Sequence, residues 1–119
     1  MVDEIIYTMT ARFAKGAIDV NFGVTNKKLT VTGTKFTQSV QTVSVTRELL
    51  VLNEVATPHF LVIQNLDATY NILVYPDATD DALVKVKPLQ WSAFGLASAT
   101  PYVGSNAGTP KFEYLVIED

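Results

Sequence analysis

From Pro58 to Tyr75 the chain reads PHFLVIQNLDATYNILVY: two apolar, β-branched runs, Phe60 to Ile63 and Ile72 to Tyr75, on either side of a short polar connector. Such residues suit a pleated, buried backbone, whereas Asn65-Leu66-Asp67-Ala68-Thr69 carries the side chains that favour turns. The stretch predicts two antiparallel strands joined by a tight loop, a central hairpin. Neither run alternates cleanly, so both faces of each strand are expected to be covered.

Similar grammar extends in both directions. Ile5, Tyr7, Met9, Ala11 and Phe13 share one parity, and Thr8, Thr10 and Arg12 the other, which predicts a half-buried strand. Past Lys15-Gly16, Ile18, Val20, Phe22 and Val24 are expected inward and Asp19, Asn21 and Gly23 outward. Thr25-Asn26-Lys27 is expected to turn the chain. Leu29 and Val31 then alternate with Thr30 and Thr32 until Gly33 breaks or bulges the strand. Thr37 to Val45 reads as a mostly wet strand and Arg47 to Leu52 as a short one.

Leu83 to Lys87 carries Lys85 and Lys87 on its outer parity, as edge strands do. Gln90 to Ala97 holds Trp91, with Phe94 and Leu96 on the opposite parity. Ser98 to Pro110, broken by Pro101, Gly104, Gly108 and Pro110, reads as a surface loop with Tyr102-Val103 as a short strand within it. KFEYLVIED closes the chain as a buried strand. About eight or nine short strands and no stretch suited to a long helix predict an all-β fold, an antiparallel β-sandwich of jelly-roll type. At 119 residues the chain has the length for one core, so residues 1–119 are expected to form a single domain.

Composition excludes several classes of function. The net charge is −3 and the nine basic residues are scattered, without the concentrated basic face that phosphate neutralisation requires, so no nucleic-acid partner is expected. MVDEIIYTMTARF lacks a basic n-region and a long apolar core, and no window approaches the roughly 18 apolar residues of a membrane span. Neither a secretory signal nor a membrane partner is expected. The absence of cysteine rules out disulfides and thiolate metal sites. Charged residues make up 18% of the chain, against about 25% in an average domain. Either a partner covers part of the surface, or threonine, serine and asparagine solvate it.

Catalytic constellations are missing. His59 is the only histidine and cannot build a cupin-type metal site, and no Gly-x-Ser-x-Gly elbow is present. Asp77, Asp80 and Asp81 could offer oxygens to Ca²⁺, but their spacing fits no EF-hand loop and lacks its glycine; a solvated turn is the plainer reading. Gly104 to Gly108 has neither the Lys-Ser/Thr pair nor the helix of a phosphate loop. No enzyme activity and no cofactor is expected. An aromatic platform drawn from Trp91, Tyr70, Tyr75 and Tyr102 would mark a partner surface, with core packing as the competing reading for each.

Two pieces, FLVIQNLDATYNILVY and KFEYLVIED, joined by VKPLQWSAFGLASATPYV, resemble a group of small virion structural proteins of tailed bacteriophages. The likeness runs through Asn65, Leu66, Asp67, Ala68, Thr69, Lys87, Pro88, Trp91, Phe94, Tyr102, Glu113, Tyr114 and Leu115, with a looser fit over Thr37 to Leu52. It departs at Tyr70-Asn71, where the group usually has Asn, and at Gln90, where it has an acidic residue. The resemblance implies a non-enzymatic part of a phage particle, made in the host cytoplasm and residing in the virion: a capsid-decoration (cement) or minor head protein, or a neck or tail component. The partners so implied are the major capsid protein or other virion proteins, together with further copies of the chain, a homotrimer being natural at local threefold positions of a capsid lattice. Trp91, Phe94 and Tyr102 are the candidate contact residues, and Thr37 to Val45 is a second candidate face. A carbohydrate- or receptor-binding module on a fibre is the alternative from another class.

Overall fold

The computed structural model describes residues 4–30 and 34–118, and the regular structure within them is entirely β. The chain divides into two compact units, residues 1–32 and 33–119. The expectations at Val31, Thr32 and Gly33 lie outside the described residues.

The first unit is an antiparallel hairpin of β1 (Glu4–Lys15) and β2 (Ile18–Thr30). Lys15 pairs with Ile18 across a two-residue connection in which Gly16 takes φ 58°, a conformation that costs glycine nothing because it has no Cβ. The turn expected at Thr25-Asn26-Lys27 is instead a bulge inside one continuous strand, since the register shifts between Tyr7↔Lys27 and Met9↔Val24. Asn26 absorbs the extra length at φ 52°, and its N–H donates to Thr8 Oγ at 3.0 Å. Gly23 lies just before the bulge, where a Cβ would collide with the Met9 carbonyl oxygen.

The second unit is an antiparallel β-sandwich of two four-stranded sheets. Its strands are β3 (Phe36–Thr42), β4 (Glu48–Leu49), β5 (Pro58–Asn65), β6 (Ile72–Tyr75), β7 (Val84–Val86), β8 (Trp91–Gly95), β9 (Tyr102–Ser105) and β10 (Lys111–Glu118). One sheet runs β3-β10-β5-β8 and the other β4-β9-β6-β7. Leu61, Ile63, Ile72, Val86, Val103, Phe112 and Val116 are fully buried in one core cluster. Lys85 is exposed beside buried Val86 on β7, which is an edge strand.

The expected central hairpin does not form: β5 and β6 belong to different sheets, and residues 66–71 carry the chain across the sandwich. Tight two-residue hairpins need positive φ, and no residue of the connector has it. Side chains fold the crossing instead. The fully buried Asn65 carboxamide donates to the carbonyls of Tyr70 (2.8 Å) and Val86 (3.0 Å) and accepts the Asp67 N–H (2.9 Å). The Asp67 carboxylate in turn accepts the N–H groups of Thr69 and Tyr70, both at 2.7 Å.

One further reading is corrected by packing. Within the expected surface loop Ser98 to Pro110, β9 is an interior strand with Val103, Gly104 and Ser105 buried. Its small residues answer to close approach, since a Cβ on Gly104 would meet the Tyr75 ring at 3.3 Å and Ser44 O at 3.4 Å. Thr37 to Val45 is mostly exposed, as expected, with Thr37 and Val43 buried. Thr37 donates to Leu52 O at 2.6 Å, and the Gln41 carboxamide bridges Leu49 O (3.1 Å) and Val51 N (3.1 Å) in place of a missing strand. Tyr114 from the neighbouring strand adds a hydrogen bond to Val51 O at 2.6 Å.

Because it would leave two carbonyls and an N–H at the crossing unpaired, Asn65→Leu is expected to cost about 3 kcal/mol, on the scale of one to three for each buried group. Urea unfolding followed by far-UV circular dichroism measures it. Phe112→Ala, a pure core truncation, is expected to cost about 3–5 kcal/mol in the same assay.

Candidate functional site

The outer face of the β3-β10-β5-β8 sheet is built by register. Val40, Glu113, Gln64 and Trp91 lie in one row across the four strands, and Gln38, Leu115, Val62 and Ala93 in the next. The inner parity of β5, Leu61 and Ile63, is committed to the core, so the even-numbered residues face outward by pleat alone. Trp91 is 64% exposed on edge strand β8, and Phe36 and Val40 are exposed on the opposite edge strand, β3. A shallow hollow of about 150 Å³ lies against Trp91, lined by Gln38, Val62, Glu113 and Leu115. Such a face can stack a flat apolar group on the indole and offer amide and carboxylate hydrogen bonds beside it.

The three candidate contact residues are not brought together. Trp91 is on this outer face; Phe94, three residues on, has the inner parity and packs half-buried against the core. Tyr102 is half-buried on the other sheet, opposite Leu49 and Tyr75. Gln64 and Glu113 escaped sequence reasoning as contact residues because nothing local singles them out; cross-strand register alone sets them in the row of Trp91, while exposed Phe36 lies two rows away, opposite Ile117. The exposed parity of β3, Gln38 and Val40, comes from the second candidate face.

A second concavity, about 400 Å³, opens where β7 and β8, each an edge strand, flank the gap between the sheets; Val74, Leu83, Val84, Phe94, Leu96 and Pro101 line it. Tyr75, also in its lining, is covered by Arg47. The guanidinium lies 3.6 Å from the Tyr75 ring centroid and donates to the backbone carbonyls of Asp80 (2.6 Å) and Asp77 (3.3 Å).

The acidic turn spends its charge on itself. Asp77 accepts the N–H groups of Asp80 (2.7 Å) and Thr79 (2.9 Å), and these bonds hold its carboxyl below its ordinary 3.8. Asp80 is pushed the other way, chiefly by the charge of Asp77. Among the described residues no group of three His, Cys, Asp or Glu side chains could hold a metal ion. His59 is half-buried on β5, with its carbonyl accepting the Leu96 N–H at 2.7 Å.

No family model matches the chain, and neither does any curated protein or solved structure. The fold and the outer face define a β-sandwich with an aromatic-bearing sheet surface.

The opposite shifts of Asp77 and Asp80 give a signed pH dependence. Asp77, with a lowered value, adds stability that is present above 3.8 and is lost as pH falls through that lowered value. Asp80, with a raised value, is destabilising as an anion, and protonation at acid pH relieves it. Asp80→Asn is therefore expected to raise the melting temperature at pH 7, with the gain vanishing by about pH 3, below ordinary aspartate values. Thermal melts of both proteins at the two pH values check the sign.

Proposed function

We propose that this chain is a structural binding protein of a phage particle, a capsid-decoration or minor head protein that attaches to the shell through the outer face of the β3-β10-β5-β8 sheet. The observation that carries the reading is Trp91, the only tryptophan, held 64% exposed in a row with Val40, Gln64 and Glu113. Exposed tryptophan is costly to leave wet and is among the side chains that dominate interface energetics. The resemblance of residues 60–119 to small virion proteins supports it. So does the arrangement of eight strands in two four-stranded sheets, an architecture that jelly-roll capsid and lectin domains use. The mechanism is mass action: a protein that binds only the assembled shell lowers the free energy of that state. A neck or tail position would use the same face, and a homotrimer would match the local threefold positions of a lattice.

The hollow beside Trp91 favours one second reading, a carbohydrate-binding module. Indole stacking on a pyranose ring, with Gln38 and Glu113 at its rim, is the chemistry such a site would use.

Cosedimentation with capsid shells tests the first reading. Wild type is expected to pellet with them, and Trp91→Ala to bind about thirtyfold more weakly or worse, as for an interface hot spot. The same substitution should leave thermal stability within about 0.5 kcal/mol, because the side chain is exposed. Failure to pellet, together with Trp91-dependent binding on a glycan array, would overturn the capsid reading in favour of the second.

A further inference from the structure

We propose that the apolar face of the β1–β2 hairpin is the surface through which copies of this chain associate, hairpin against hairpin. Met9, Ala11 and Phe13 lie on one face with Ile18, Val20, Phe22 and Val24, as the pairs Met9↔Val24, Ala11↔Phe22, Phe13↔Val20 and Lys15↔Ile18 require. Sequence alternation predicts that these side chains point inward; they are exposed, Phe22 by 83%. Lys15 and Lys27 bound this face at its two ends, opposite Ile18 and Tyr7, and Arg12 and Asp19 pair on the other face through two contacts of 2.9 and 3.0 Å. Cover over the strip from Met9 to Phe13 and Ile18 to Val24 would bury no ion pair and leave the two exposed lysines at its rim.

Three arguments make a second copy the occupant. A two-stranded ribbon has no core of its own and is marginal alone in water, so its cover must be at hand wherever the chain folds, and another copy always is. The exposed area of the strip is on the order of 600 Å² per copy, so two strips face to face bury roughly 1,200 Å², the lower end of a specific, stable interface. The relief is self-complementary: Ala11 leaves a notch directly across from the projecting Phe22, and a reversed copy would set each projection over the other's notch. The inference rests on the self-association proposed above and gives it a two-fold form: a reversed, face-to-face contact closes as a dimer, in place of the homotrimer of the lattice argument.

The test compares native masses of wild type and a Phe13→Asp/Phe22→Asp variant across dilution from micromolar to nanomolar. The wild type is expected to be oligomeric and the variant monomeric, its dissociation constant raised by about a hundredfold or more. Because the variant hairpin could misfold, a second measurement stands beside it. With no native cysteine, an equimolar mixture of Ala11→Cys and Phe22→Cys chains, mildly oxidised, should form an intermolecular disulfide that 8 M urea present throughout abolishes. An oligomer that survives the double variant without cross-linking overturns this surface and leaves self-association standing. A wild type monomeric at micromolar concentration overturns both, while the capsid reading is decided separately by cosedimentation.

Discussion

One buried carboxamide ties the two layers of the sandwich. Asn65 ends a strand of the first sheet and holds the carbonyls of Tyr70 and Val86, of which Val86 closes the edge strand of the second. A polar group this deep is costly unless every partner is present, and here the side chain has three, two accepting from it and one donating to it. The direction of the chain out of β5, the start of β6 and the end of β7 are set at one point. The same device recurs at Asp77, where a carboxylate folds the next corner by accepting the N–H groups two and three residues on.

What was legible in the sequence follows from the range of each signal. Strand content and edge character are local: Val86 against Lys85 is a two-residue pattern, and the structure follows it. The turn-forming role of the Asp-Ala-Thr segments is local too. Sheet membership is not. The runs at Phe60 and Ile72 look like a hairpin because adjacent strands usually pair, but the choice between pairing and crossing is made by a carboxamide bonded to Val86, 21 residues away. Gly104 misled in the same way: a small residue between Pro101 and Gly108 resembles a loop until Tyr75 is seen against it.

The candidate site was half legible. Trp91 could be singled out by type, but Phe94 and Tyr102 were grouped with it by proximity in sequence, whereas a pleated strand sends residues of opposite parity to opposite faces. Its actual neighbours come from β5, β10 and β3, joined by register. In the hairpin, alternation identified the apolar face correctly and misjudged its cover, because periodicity reports which side chains belong together and says nothing of what lies above them. The bulge at Asn26 switches the parity of β2: Val24 lies opposite Met9, but three residues on it is Lys27 that lies opposite Tyr7, so a lysine takes the next position on that face.

The position of the single tryptophan has an optical consequence. An indole on the outer face of an edge strand already emits in a largely aqueous setting, so unfolding the core changes its surroundings little. Its fluorescence is a poor witness to folding, and for that same reason a clean one to contact: any surface laid across the sheet would dry the ring and move its emission to the blue, with no label added.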